Sequence, residues 1–204
     1  MSQKTNLTQA RTAGRPRSFD MADAVNRAVL VFRERGYQAA SIDVISRGTG
    51  LTVGSLYKAF RDKKDIFAAA FARYLEERQT TVTARLAGVE TGRARIATLL
   101  DLYLEAASGA EGRRGCLVVA SLAEASGLDA TQRAALAEAI GANETRLCDL
   151  LREGQSDGSV RLDLDVPAAA DVLLALLQGI RVLGKLREPR DRIGFIAMAL
   201  KTLD

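Results

Sequence analysis

The sequence predicts an all-α fold: an N-terminal three-helix domain carrying a helix-turn-helix, followed by a larger helical body. Three observations predict it. Apolar residues recur at helical spacing, as in Met21, Ala24, Val25, Ala28, Val31 and Phe32, and no stretch competes with the two-residue alternation of a strand. Residues that start or stop helices punctuate these runs: Asp20, Ser41, Thr52 and Asp62 as caps, and Gly36, Gly109, Gly112, Gly127, Gly158 and Pro189 as breaks. With 204 residues, 48% of them hydrophobic and 26% charged, the chain has globular composition and enough length to bury a core.

Residues 1–18 are polar and aperiodic and hold Lys4, Arg11, Arg15 and Arg17, which reads as a flexible basic arm. Its Gly14-Arg15-Pro16-Arg17 is similar to the arginine segments that lie in a narrow, strongly negative minor groove. Asp20 is then expected to cap the first helix, with Phe19 as the preceding apolar staple and Gly36 as its stop. Ser41 caps a second, short helix built on Ile42, Val44 and Ile45. Gly48 to Leu51 turn the chain, and Thr52 caps a third helix.

That third helix has two faces. At about 100° per residue, Val53, Leu56 and Phe60 fall on one side, while Gly54 and Lys58 point the other way with Ser55 and Tyr57 on the flanks. Two helices joined by a glycine-containing turn, with a small and polar face on the second, describe a helix-turn-helix whose second helix fits a DNA major groove. Asp62, with acidic Asp65 three residues on, begins a long helix through Ile66, Phe67, Ala70, Phe71, Tyr74 and Leu75. The domain expectation is an arm over 1–18, a DNA-binding domain over 19–65, and a ligand-binding and dimerisation domain over 66–204.

In the body, helices are expected at about 93–108, 115–126, 130–156, 168–187 and 190–203. The segment 168–186 is apolar on most sides, so one surface can meet the core and another a partner copy. Residues 166–186 are nonetheless interrupted by Asp171, Gln178, Arg181 and Lys185, which argues against a membrane span, and the N-terminus lacks the apolar core of a secretory signal. A cytoplasmic protein is expected. Cys116 and Cys148 lack metal-ligand or disulfide-framework spacing.

Charge and composition narrow the function. Residues 1–78 carry 14 Lys/Arg against 8 Asp/Glu, whereas the rest of the chain is slightly acidic, so the basic excess sits at the front. Histidine is absent, which removes Ser-His-Asp triads, Cys-His dyads and imidazole metal sites. No acid pair stands inside an apolar stretch. The expectation is a non-enzyme without cofactor or metal. A small-molecule pocket needs apolar walls with a few polar handles, which Tyr74, Leu99, Leu102, Tyr103, Leu117 and Gln178 can provide.

The segment FRERGYQAASIDVISRGTGLTVGSLYKAFRDKKDIF, residues 32–67, resembles the N-terminal domain of the tetracycline-repressor (TetR) family of transcription regulators. The resemblance rests on Phe32 and Gly36, Ser41, Ile45-Ser46, Thr49-Gly50-Leu51-Thr52, Gly54-Ser55-Leu56-Tyr57, Phe60 and Lys63; Ser46 and Thr49 stand where the family usually has alanine. It implies about nine helices and a homodimer formed by the last two helices, on double-stranded DNA with a palindromic operator. A small-molecule effector would release the protein, most often a repressor. Ser41, Tyr57 and Lys63 would then hold phosphates, and Thr52, Val53, Ser55 and Lys58 would lie nearest the bases, joined by Arg15 and Arg17 of the arm. Leu173, Leu176, Leu177, Ile180, Leu183, Phe195 and Met198 would form the dimer interface. The stretch GCLVVASLAEAS from Gly115 resembles a helix start in a TetR subgroup with electrophile- or oxidant-sensing members. Cys116, aided by Arg113 and Arg114, is the candidate sensor thiol and a further pocket residue. A thiol-based regulator is thus one alternative, and an all-α enzyme acting on a small apolar substrate is another.

Overall fold

The computed structural model describes residues 17–204, with side chains from Met21 onward; Arg15 lies outside the described residues and the side chain of Arg17 likewise. The described chain is helical, with α1 (Arg17–Ala39), α2 (Ile42–Thr49), α3 (Val53–Ala59), α4 (Lys63–Leu86), α5 (Gly92–Ala106), α6 (Gly109–Arg114), α7 (Leu117–Ala123), α8 (Ala130–Asp157), α9 (Val166–Leu183) and α10 (Arg192–Leu200). No strand forms among the described residues.

Local chemistry explains most boundaries. Ser41, Thr52 and Asp62 each accept a backbone N–H from the first turn of their helices, and Asp129, Asp165 and Asp191 do the same for α8, α9 and α10. Asp129 and Gln132 complete a reciprocal capping box. The expected cap at Asp20 is corrected: α1 already begins at Arg17, so Asp20 lies inside the helix. A helix tolerates proline at its start, and Pro16 directly precedes Arg17 in the sequence.

Gly36 ends the regular part of α1. Its φ of 77° and ψ of 175° break the helix, in a region that disfavours any residue with a Cβ. The carboxylate of Glu124, at the end of α7, accepts the N–H groups of Tyr37 at 2.7 Å and Gln38 at 3.2 Å just beyond that break. The break at Gly36 is therefore tied to the body.

Two apolar clusters result. In the head, Phe32, Tyr37, Ile45, Leu56, Phe67 and Phe71 pack together, with Phe67 edge-on to Phe32 at 5.2 Å and to Tyr37 at 5.0 Å between ring centroids. Cys116, Leu117, Val118 and Leu136 from the body join this cluster. The second cluster lies between α5, α8 and α9, around Ile96, Leu100, Leu104, Leu151, Leu173 and Leu177. The long helix α4 contributes to both, from Ile66 in the head to Val82 in the body. It is one continuous helix spanning both clusters.

Candidate functional site

The α2–α3 turn is built from small polar groups. Gly50 takes φ 75° at the end of α2, Thr49 is buried and donates its hydroxyl to the Ile45 carbonyl at 2.8 Å, and Ser46 donates to the Leu51 carbonyl at 2.6 Å. The Leu51 N–H in turn reaches Thr49 Oγ1 at 3.3 Å. The two positions that depart from alanine thus fasten the turn with hydroxyls.

On α3, Leu56 is buried and Val53 and Phe60 are half-buried, while Gly54, Ser55, Tyr57 and Lys58 face outward; Tyr57 is 53% exposed. A Cβ added at Gly54 would meet nothing within 4 Å. The protein's own packing does not require glycine there. Thr52 accepts the Ser55 N–H at 3.1 Å, and the two hydroxyls lie 2.9 Å apart at the helix start. Lys58 has no carboxylate partner among the described residues. These groups match what a backbone-and-base contact surface needs: a bare approach, hydroxyls, and an unneutralised charge.

The flanking basic residues differ from one another. Arg61 is held by Asp65 through two hydrogen bonds of 2.6 and 2.7 Å, and Asp65 also accepts the Arg61 N–H, so the acidic residue after the Asp62 cap closes on Arg61. Lys64 pairs with Asp129 at 2.9 Å, joining the start of α4 to the start of α8. Lys63 is half-buried, with its ammonium 4.4 Å from the centre of the Tyr37 ring and donating to the Gln38 carbonyl at 3.3 Å. Burial lowers its pKa, with Glu124 opposing the shift.

Behind the head lies a cavity of about 150 Å³ between α4, α5, α7, α8 and α9. Of the expected pocket residues, Tyr74, Tyr103, Cys116 and Gln178 line it. Leu99, Leu102 and Leu117 do not, because their helix phase turns them into the two cores. Sequence reasoning missed three arginines on its wall, Arg78, Arg146 and Arg181, together with Asn143. Arginine pattern alone suggests surface, yet Arg181 is 3% exposed.

Cys116 precedes α7, and Tyr74 donates its hydroxyl to Cys116 Sγ at 3.3 Å. Burial pushes the thiol up, but the Arg181 charge, the Tyr74 hydroxyl and the N–H groups of Val119 and Val118 outweigh it, so the net shift is downward. Arg113 and Arg114, expected to do this, turn elsewhere: Arg113 is exposed and Arg114 pairs with Glu111 at 2.7 Å. Burial raises both tyrosines, keeping their hydroxyls protonated.

One carbonyl connects these parts. The Gly115 oxygen accepts Arg33 of α1 at 2.9 and 2.8 Å and Arg181 of α9 at 3.1 Å. Arg33, 6% exposed, also pairs with Glu111 at 2.9 Å. The residue beside the cavity cysteine is thus clamped between the head and the last long helix.

The structure divides the residues expected at the dimer surface. Leu173, Leu177 and Ile180 are buried within the chain itself, Leu176 and Phe195 are half-buried, and Leu183 and Met198 are exposed at 47% and 63%. Val172, Ala175, Gly179, Val182, Leu183 and Leu186 form an outward stripe about 100° wide on α9 and its extension. Ile193 of α10 is also exposed. An apolar helix offers two stripes, and the inner one serves the chain's own core.

Comparison with known proteins gives the family. Residues 25–70 match the model for bacterial regulatory proteins of the tetR family, and residues 92–199 match the tetracyclin repressor-like C-terminal domain. The uncharacterized HTH-type transcriptional regulator YezE of Bacillus subtilis (strain 168) is 30% identical over 111 residues, 54% of this chain and 57% of that protein. The HTH-type transcriptional repressor DhaR of Mycobacterium sp. (strain GP1) is 27% identical over 182 residues, 88% of this chain and 89% of that protein. Among solved structures, a cysteine-substituted TetR family regulator CifR, complexed with double-strand operator DNA, superposes with a TM-score of 0.80 at 31% identity, covering 94% of this chain and all of that one. With both halves of the fold matched in order, and a bare, polar α3 where a helix-turn-helix reads its groove, the chain belongs to the TetR family of bacterial regulatory proteins.

Proposed function

We propose that this protein is a homodimeric transcriptional repressor of the cytoplasm that holds a palindromic operator through α3 and releases it when a small molecule fills the cavity. The observation that carries the reading is the outward face of α3, where Gly54 has no packing neighbour and Ser55, Tyr57 and Lys58 stand exposed. The relatives named as regulators and repressors, and the operator complex of CifR, support it.

The proposed mechanism rests on the continuity of α4. Tyr74 and Arg78, in the middle of α4, line the cavity, while Lys63 at the other end of the same helix abuts the reading head. A ligand that displaces the middle of α4 tilts its N-terminus and moves the head against the Arg33–Gly115 clamp. Two recognition helices must meet half-sites about 34 Å apart, so a change in spacing costs affinity.

The test is fluorescence anisotropy with duplexes from the DNA flanking the coding sequence, across a salt series. Affinity should fall steeply with salt, Lys58→Ala should relax base preference, and Lys63→Ala should weaken all sequences alike. Absence of preference for any flanking duplex over random DNA would overturn the reading.

A second reading rests on Cys116, whose thiol is drawn downward beside Arg181. Its thiolate would add to the β-carbon of a quinone or enone, forming a C–S bond as the α-carbon takes a proton from solvent. Release of wild-type protein from DNA by a quinone, with Cys116→Ser still bound, supports it; equal release of both rejects it.

A further inference from the structure

We propose that the cavity is built for a small organic monocarboxylate, whose anionic head is held by Arg78, Arg146 and Arg181 and whose apolar body fills the space between α4, α7 and α8. The inference rests on the ligand-responsive reading above and adds the chemical class of the ligand.

Three arginines from three different helices, α4, α8 and α9, line this wall and no aspartate or glutamate does; Arg78 and Arg181 also border a neighbouring pocket lined by Asp23, Glu77 and Glu111. None of the three has a carboxylate within salt-bridge distance among the described residues. Each is held instead by uncharged groups. Arg181 donates to the backbone carbonyls of Ala106 and Gly115, Arg146 to Asn143 Oδ1 at 3.0 Å and to Gln79 Oε1, and Arg78 lies over the Tyr103 ring at 5.5 Å from its centre.

A buried guanidinium without a counter-ion is a costly arrangement, because neutral dipoles only partly replace the water it has lost. Arg181 is almost wholly buried in that condition. The other acids on the wall do not balance the charge. Tyr74 and Tyr103 are kept neutral by burial, and Cys116 offers at most one thiolate against three cations. A ligand carboxylate accepts two parallel N–H bonds from a guanidinium fork and further bonds from protonated tyrosines.

The rest of the lining fixes the ligand's body. Leu75, Val82, Val118 and Ala139 give apolar walls, and a volume of about 150 Å³ suits a single aromatic ring or a short aliphatic chain. Gln178, on the same wall, supplies an amide that discriminates among ring substituents.

The experiment is a thermal-shift and calorimetric comparison of benzoate, phenylacetate, hexanoate and salicylate, each with its primary amide, on the full chain at neutral pH. At least one acid should raise the melting temperature and bind about tenfold or more tightly than its amide. Arg78→Gln and Arg146→Gln, at half-exposed positions that permit folding, should each erase most of that difference. Three results overturn the proposal: amides that bind as well as acids, no acid that binds, or an acid whose binding ignores both substitutions. Operator binding by ligand-free wild-type protein is measured in parallel. A failure there removes the regulator reading, while the acid-to-amide comparison still decides the ligand class.

Discussion

Two glycines six residues apart show how one residue type serves opposite ends. A Cβ at Gly48 would run into the Val31 side chain of α1, so glycine lets α2 lie close against α1. At Gly54 a Cβ would meet nothing. Gly48→Ala is expected to destabilise the head by about 1–3 kcal/mol through overpacking. Gly54→Ala should stabilise α3 by up to about 1 kcal/mol, since alanine is the better helix former. Chemical denaturation measures both, and operator titration separates them. Gly54→Ala should bind DNA more weakly despite its greater stability, because the added methyl stands on the approach face. Equal affinity would mean that nothing comes close to Gly54. In the sequence Gly48 reads as the start of the turn and Gly54 as a helix glycine; the structure keeps Gly48 inside α2, packed on α1.

At the scale of elements, the join between α1 and α6, the Arg33–Glu111 pair, carries an acid-sensitive bond. Burial pushes the Glu111 carboxyl up, but Arg33 and Arg114 outweigh it and leave it below the usual glutamate value. A depressed folded-state pKa contributes stability that is present above about 4.3, the unfolded value, and is lost as pH falls through the folded value. Asp129, lowered by the Gln132 N–H and by Lys64, behaves in the same sense at the α4–α8 join. Stability should therefore be flat near neutrality and fall below about pH 4.5, with Glu111→Gln flattening part of that fall in a melting series. Arg33→Met, which removes a buried donor from the Gly115 carbonyl, should cost about 2–4 kcal/mol at neutral pH. The caps at Ser41, Thr52 and Asp62 were legible because capping is chemistry within four residues. The clamp at Gly115 was not, since Arg33 and Arg181 meet it from positions 82 and 66 residues away. The same limit explains why the three arginines on the cavity wall were not anticipated beside the four expected residues that line it: hydrophobic pattern cannot tell a buried cation from an exposed one.

For the whole molecule, we propose that the apolar surface of α9 and α10 decides whether two heads act together. The sequence shows that residues 168–186 are apolar nearly all round, which leaves the choice of inner face to the body's own core. The core takes Leu173, Leu177 and Ile180, and the stripe through Val172, Val182, Leu183 and Leu186 remains outward, with Leu186 and Ile193 88% and 84% exposed. An exposed apolar stripe along one helix calls for a partner, and a two-fold pair of identical stripes satisfies it without an open end. Val182→Glu, at a position 50% exposed, places like charges opposite one another across such a pair. Sedimentation at micromolar concentration should then show a monomer of unchanged helix content, with operator affinity lowered by at least a hundredfold because one half-site is engaged at a time. Leu177→Ala makes the contrasting case. It should lower stability by about 2–5 kcal/mol while the folded fraction still pairs, since that side chain faces inward. If Val182→Glu left the oligomer intact, the pairing surface would lie elsewhere and the outward stripe would need another partner.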